Sequence, residues 1–278
     1  MWFHRAVAET VFPIPRRRWQ ERLDRLVTVR GKARIQCNVC GRWSVVTASR
    51  DNFRESLHCA NCSAFNRQRQ IAQVLMRGPI PGRRHAALIE FARTETARIY
   101  NTEARGAMHE TLKSMPGYVA SEFFGNDHAG GEHVDGIRHE DLQQLSLDSE
   151  SFDVVLSCDV FEHVPDPYKA HGEVHRVLRS GGRHIFTAPF NSRVGRDEVR
   201  ARPGPDGNPE LLAEAVYHGD PQNPELGVLV YTIFGLETLT KLEELGFEPH
   251  LHRVHSRVRG IYGDNGFVFE AVKRSSSP

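Results

Sequence analysis

The sequence predicts an α/β chain: a doubly wound, mostly parallel sheet preceded by a small cysteine-bound element. Three observations carry that expectation. Residues 151–189 read as apolar strand, polar strand end, helix and second apolar strand, the unit from which open parallel sheets are built. Two Cys-x-x-Cys pairs stand together near the N-terminus. An apolar content of 39% over 278 residues suits one large domain with an appendage.

The N-terminal part is basic. Residues 1–84 hold 17 Lys and Arg against 5 Asp and Glu, a balance of about +12, and the remainder holds 19 against 30, about −11. A basic surface of this kind can hold nucleic acid, another polyanion or an acidic partner, or can dock on the acidic remainder. Arg5, Glu9 and the run Arg16, Arg17, Arg18 leave no sustained apolar core, so no secretory signal is expected and the expected location is cytoplasmic. The longest apolar stretches, such as 228–234, fall far short of a membrane span.

Cys37, Cys40, Cys59 and Cys62 form two knuckles separated by 18 residues, the spacing of a four-cysteine zinc ribbon over about residues 35–64. Four thiolates close a tetrahedral shell, so the expected ion is structural. Gly41 supplies the backbone freedom the first knuckle's turn needs. Two disulfides are the alternative, and they require an oxidising compartment. Cys158, at the end of an apolar strand, reads as a small buried hydrophobe. Ile71, Val74 and Leu75 give residues 66–77 the period of an amphipathic helix, and the Gly-Pro-Ile-Pro-Gly-Arg-Arg run at 78–84 reads as a linker. The expected division is therefore 1–80 and 81–274.

In the larger part, Phe152 to Leu156 is a buried-strand run. Asp159, Glu162 and His163 follow where the chain leaves the sheet, and Pro165 and Pro167 open a helix reaching Leu178, which Ser180-Gly181-Gly182 is expected to end. His171 and His175, four apart on that helix, read as solvated surface histidines because His-Gly-Glu-Val-His is not a metalloprotease pattern. Residues 191–227, rich in Pro, Gly, Asn and charge, form a long excursion, an insertion spanning about 191–230. Its densest polar cluster is Tyr217, His218, Gly219 and Asp220, with Tyr231 just beyond. A helix over 235–245 and strands over 247–255 and 267–272 close the domain, and 275–278 is a frayed tail.

The sequence Phe152-Asp153, apolar strand, Glu162-His163-Val164, then Arg176-Val-Leu-Arg-Ser-Gly-Gly182 and a strand resembles the second half of class I S-adenosylmethionine-dependent methyltransferases of the type 11 kind. The resemblance covers about residues 97–272 and implies a seven-stranded Rossmann-like sheet ending in an antiparallel edge hairpin. It makes 97–101 the first strand, 107–114 the first helix and 118–122 the second strand, with a short third strand near Val134. It implies a cofactor, S-adenosylmethionine, contacted by Asn101, Glu103, Gly106, Glu122, Asp141 and Leu142. Glu122 would accept the ribose hydroxyls, and Asp141 with the adjoining backbone would recognise adenine while also serving as a helix cap. The family's turn after the first strand carries several glycines; here only Gly106 stands in it.

Methyl transfer from a sulfonium asks mainly for alignment and exclusion of water, with a base where the acceptor must lose a proton. An imidazole suits that task near neutrality, which makes His163 the candidate base, with Asp159 or Glu162 to orient it; the same residues can instead hold the loop. Tyr217, His218, Asp220 and Tyr231 are candidate acceptor contacts. Cys-x-x-Cys followed by Arg67-x-Arg69 also resembles the lead-in of bacterial methyltransferases found with sugar-polymer enzymes, so the expected acceptor is a small molecule such as a sugar or a glycan end. Two rivals stand beside it. An RNA methyltransferase would use the basic ribbon on phosphate, though no Asn/Asp-Pro-Pro-aromatic motif is present. A non-enzymatic zinc adaptor on a degenerate methyltransferase scaffold would explain the glycine-poor turn. Nucleoside triphosphate and dinucleotide ligands lose their main support, because no Walker motif and no Gly-x-Gly-x-x-Gly after the first strand occurs.

Overall fold

The computed structural model describes residues 32–47, 54–77, 85–205, 208–219, 225, 227–263 and 266–275. The Arg16 to Arg18 run, the 78–84 linker, Asp220 and residues 276–278 lie outside the described residues.

In chain order the elements are β1 (Lys32–Gln36), β2 (Trp43–Thr47), α1 (Asn66–Leu75), α2 (Leu88–Thr94), β3 (Ile99–Asn101), α3 (Gly106–Leu112) and β4 (Tyr118–Glu122). Then come β5 (His133–Val134), β6 (Ile137–His139), β7 (Phe152–Cys158), a 3₁₀ turn (Phe161–His163), α4 (Pro167–Val177) and β8 (Leu178–Thr187). The insertion holds β9 (Glu198–Val199), β10 (Ala201–Pro203), β11 (Pro209–Leu211), β12 (Tyr217–His218), β13 (Val228–Leu229) and β14 (Thr232–Ile233). The chain closes with α5 (Glu237–Glu244), β15 (Phe247–Arg253) and β16 (Phe267–Lys273).

The main sheet has eight strands in the order β15-β16-β8-β7-β3-β4-β6-β5. β3 with β4, β4 with β6, and β7 with β8 are parallel pairs. The chain thus winds through β3, β4 and β6 in one direction and through β7 and β8 in the other, the doubly wound α/β fold that the sequence predicts. The resemblance implies seven strands, and the eighth is β5. Asp135 and Gly136, with φ of 51° and 79°, make a two-residue turn that folds β5 back antiparallel on β6. Val134 therefore lies in the outer arm of a hairpin, and β6 is the strand parallel to β4.

Two compact units divide the chain by contact density, one running to Ala120 with His250–Glu270, the other covering Ser121–Pro249 with the C-terminal segment from Ala271.

In the first unit, α1 buries Ile71, Val74 and Leu75 as the periodicity predicts. Asn66 and Tyr262 exchange hydrogen bonds of 2.9 and 3.2 Å. Arg69, fully buried, donates from its guanidinium to the carbonyls of Ala64, Leu57 and Gly260. One buried cation thus donates to three carbonyls, of which Ala64 also accepts the Cys59 amide at 2.9 Å.

In the second unit, α4 begins as its sequence indicates. Pro167 is its first residue and Asp166 caps it, accepting from the amides of Tyr168 and Lys169 at 3.2 and 3.0 Å. Its end differs from expectation. The helix stops at Val177 because Leu178 is already extended and pairs with Phe152, and Ser180-Gly181-Gly182 lies inside β8, where the register slips. Gly182 is held there by crowding, since a Cβ would sit 2.8 Å from the Arg179 carbonyl oxygen. His171 is likewise no surface residue: it is fully buried and stacked on Phe161 at 4.1 Å.

The insertion is built of short hairpins and is anchored at its base by Asp197. That carboxylate accepts from the Gly235 amide at 2.8 Å and the Thr238 hydroxyl at 3.0 Å, and from the phenol of Tyr168 on α4.

Candidate functional sites

The four cysteines of the ribbon come together. β1 and β2 pair antiparallel around the first knuckle, and Gly41 turns it with φ of 77°. The carbonyls of Asn38 and Val39 accept the first amides of α2 at 2.8 and 3.0 Å, so the knuckle also closes a helix start. All four sulfurs lie within 4.8 Å of one another, with Cys37 to Cys62 at 3.8 Å and Cys40 to Cys59 at 3.9 Å. Four thiolates about 2.3 Å from one zinc ion stand about 3.8 Å apart at the edges of their tetrahedron, which these sulfurs match. A disulfide needs a sulfur separation near 2 Å, and all five cysteines are free. The hydrogen bond with Cys62 pulls Cys37 down to about 5 against the opposing effect of burial, and the Arg69 charge favours its thiolate further. Cys158 is buried at the end of β7, as expected of a small hydrophobe.

The turn after β3 is tight. Asn101, almost fully buried, donates to the Glu103 carbonyl at 2.7 Å and to the Tyr118 hydroxyl at 2.9 Å. Its amide therefore shapes the turn. Gly106 opens α3 with φ of 80°, a left-handed conformation that disfavours side chains, and a Cβ there would lie 3.3 Å from the Gln68 amide nitrogen. Thr102 Oγ1 is buried without a hydrogen-bond partner. An orphaned hydroxyl beside a left-handed glycine fits a turn that receives a polar ligand.

In the second unit, Glu122 ends β4, partly exposed, with half-exposed Phe123 directly after it. The Glu122 carbonyl accepts the Glu140 amide at 3.1 Å. Glu140 is buried and structural: it holds Arg138 Nε at 2.7 Å and the Ser146 amide and hydroxyl at 2.8 and 2.6 Å. Asp141 Oδ1 caps the Gln143 amide at 2.8 Å. No helix follows it, so it closes a turn rather than a helix, and Leu142 is buried in that turn.

A buried polar cluster of the second unit lies beyond β7. Asp159 has a left-handed backbone, φ of 53°, and its amide donates to the Thr187 carbonyl at 3.0 Å. That bend sends the chain into the 3₁₀ turn and points Glu162 inward, fully buried. The Glu162 backbone carbonyl accepts the Tyr231 amide at 2.7 Å, and His163 donates from Nδ1 to the Leu229 carbonyl at 2.8 Å. These two bonds fasten β13 and the residues after it to the turn. β12 pairs with β13 in the register His218 to Val228, which brings His218 Nδ1 to 3.4 Å from Glu162 Oε1. His163 Nε2 stands 3.6 Å from the same oxygen, and the two imidazoles meet edge to face at 5.0 Å. Burial and then the Asp159 charge push Glu162 up to about 7, with the histidine opposing.

Of the acceptor-contact residues read from the sequence, His218 thus joins Glu162 and His163, while its strand neighbour Tyr217 is exposed. Tyr231 is partly buried, with its phenol raised by desolvation, and reaches Glu162 through its backbone. Sequence reading misses the pairing of His218 with Glu162. A histidine in a Pro- and Gly-rich excursion carries no periodic signal, and only the hairpin register reveals its neighbour.

Comparison with known proteins agrees with the second half of the reading. Residues 87–186 match the family described as a methyltransferase domain. A sarcosine/dimethylglycine N-methyltransferase from Halorhodospira halochloris is 30% identical over 139 residues, covering 48% of this chain and 44% of that protein. An arsenite methyltransferase from Mus musculus is 34% identical over 83 residues, 30% of this chain and 22% of that one. The chain spans less than half the length of these curated relatives. Among solved structures, an S-adenosylmethionine-dependent methyltransferase from Mesorhizobium loti aligns at 16% identity over 66% of this chain and 96% of that one, with a TM-score of 0.41. A second, from Methanosarcina mazei, aligns at 17% identity over 67% and 97%, with a TM-score of 0.38. Among the described residues no helix is long and apolar enough to cross a membrane. Residues 87–186 thus match the methyltransferase-domain family, and the four cysteines that precede them have a geometry that fits a zinc ribbon.

Proposed function

We propose that this protein is an S-adenosylmethionine-dependent methyltransferase acting on a small molecule such as a sugar or a glycan end, with a structural zinc ion on Cys37, Cys40, Cys59 and Cys62. The observation that carries the reading is the methyltransferase-domain match over residues 87–186, with the Glu162, His163 and His218 cluster directly beyond β7 inside it and its insertion. Both curated relatives are named for small acceptors, which favours an acceptor of that class.

When bound, S-adenosylmethionine supplies the methyl group from its sulfonium. The chain's own part is to bind, orient and exclude water. We assign the Gly106 turn, with Asn101, Thr102 and Glu103, to the methionine portion. Glu122 is assigned to the ribose hydroxyls, and Asp141 with the Leu142 backbone to adenine. Asp159, Glu162, His163 and His218 take the acceptor's polar group and its proton, with Tyr217, Asp220 and Tyr231 at its margin. The division at residue 80 then separates a metal-held recognition element from the catalytic part.

Transfer of labelled methyl from the donor into a panel of hydroxylated small molecules and sugars, run beside total RNA, tests the acceptor class. Label in a small-molecule pool is the expected result. Label in RNA alone, lost at raised salt, would replace this reading with the RNA methyltransferase. Donor-independent inertness would leave the zinc adaptor.

A further inference from the structure

We propose that Glu162, His163 and His218 form a second metal centre, binding one divalent transition ion such as manganese, iron(II) or zinc with coordination positions left open. Their donor atoms lie within 4.8 Å of one another. Glu162 Oε1 stands 3.4 Å from His218 Nδ1 and 3.6 Å from His163 Nε2, longer than close hydrogen bonds and within ion-pair reach of both rings. An ion with bonds of about 2.1 Å to each donor places them about 3.4 Å apart in a tetrahedral arrangement, so the distances suit a shared cation.

The surroundings argue the same way. The Glu162 side chain is fully buried, yet neither carboxylate oxygen makes a hydrogen bond. Burying a carboxylate without close hydrogen bonds is costly, and a cation shared with the two imidazoles offsets that cost most directly. His163 is prepared as a ligand. Its Nδ1 proton is committed to the Leu229 carbonyl at 2.8 Å, which fixes the tautomer and leaves the Nε2 lone pair facing Glu162. A carbonyl-anchored imidazole of this sort is the usual support of a metal-bound histidine.

The hairpin that delivers the third ligand is built for close approach. Gly227 has φ of 69°, and a Cβ there would lie 2.3 Å from the His218 carbonyl oxygen. Only glycine lets β13 run this near β12. The His218 side chain remains 35% exposed, which leaves the ion a path in and an open face toward solvent. Two imidazoles and a carboxylate also select differently from the ribbon. Thiolates favour zinc, whereas this harder set accepts manganese or iron and keeps positions for water or an oxygen-bearing ligand. Resting on the methyltransferase reading, those positions are where a hydroxylated acceptor would bind, with the ion lowering the hydroxyl's pKa.

Metal binding requires neither donor nor acceptor, so its test stands apart from that reading. Full-length protein carrying one zinc ion per chain, the equivalent held by the four thiolates, is titrated with Mn²⁺ alone, free Mn²⁺ being followed by electron paramagnetic resonance and bound Mn²⁺ by water-proton relaxation. The expected result is one Mn²⁺ per chain with enhanced relaxation. Affinity should fall at least tenfold in Glu162→Gln and in His218→Gln, and remain unchanged in Glu110→Gln, an exposed carboxylate of α3 outside both clusters. The partly exposed His218 makes its variant the safer one for folding, and circular dichroism without metal checks it. Absence of binding to the wild type by Mn²⁺ and then by Co²⁺ would overturn the proposal. So would equal affinity in both folded variants, or bound Mn²⁺ that gives no relaxation enhancement.

Discussion

The two donor clusters of this chain differ in how they are made. The ribbon's cysteines come from two short knuckles, each pair three residues apart, and form a closed set of one ligand type. The cluster beyond β7 joins Glu162 and His163 to His218, 55 positions further on, through a hairpin docked on a 3₁₀ turn. A closed thiolate shell holds structure together. A mixed and partly exposed set suits chemistry, since its geometry leaves room for another ligand. Local spacing encodes the first; only tertiary packing assembles the second.

The largest expected effect separates the two regions. Cys59→Ser should lose stoichiometric zinc by elemental analysis and loosen the ribbon, because a structural zinc contributes on the order of 10 kcal/mol to the fold of a small element. Cys158→Ser should keep its zinc. Loss of zinc from both variants alike, or from neither, would break the distinction between ribbon thiolates and a buried strand thiol.

Acid should strike the second region. His171 and His184 are fully buried with no hydrogen bond to either ring nitrogen, packed around Phe161. Burial lowers His171 to about 3 and holds His184 well below its ordinary value. Their folded pKa values are depressed, so the unfolded chain binds more protons. The stability they allow is fully present above about pH 6.5 and declines as pH falls from there toward the folded values, by about 1.4 kcal/mol per pH unit for each histidine. Melting temperatures between pH 7 and pH 5 should drop, and His171→Leu should flatten the decline. An unchanged slope in that variant would show that these histidines are not the acid-sensitive groups.

A smaller effect sharpens the comparison from the hairpin side. Gly227→Ala should cost about 1–3 kcal/mol and displace His218, because its methyl group meets the His218 carbonyl and the backbone is left-handed. Zinc content should be untouched. Glu122→Ala should leave both clusters and the melting temperature intact while weakening donor affinity at least tenfold, since each charge-assisted hydrogen bond is worth about 1.5–3 kcal/mol.

Much of this architecture is legible in the residues. Apolar runs place β7 and β8, Asp166 and Pro167 place the start of α4, and two Cys-x-x-Cys pairs place the ribbon. Where reading by pattern fails, the cause is tertiary. Ser180-Gly181-Gly182 resembles a helix stop, but Leu178 is captured by pairing with Phe152, so the glycines fall in a bulge instead. His171 carries the look of a surface residue on a polar helix, yet stacking on Phe161 draws it into the core. Asp135-Gly136 encodes a hairpin turn, which adds the eighth strand to the seven that the resemblance implies. The excursion over 191–227 has no periodicity because its two- and three-residue strands are too short to show one.

The most direct test of the account is a calorimetric titration of zinc-loaded wild-type protein with S-adenosylmethionine. The methyltransferase reading predicts saturable binding at one site per chain, despite a turn in which Gly106 is the only glycine. A flat titration with folded, zinc-replete protein would contradict it and leave the domain as a scaffold.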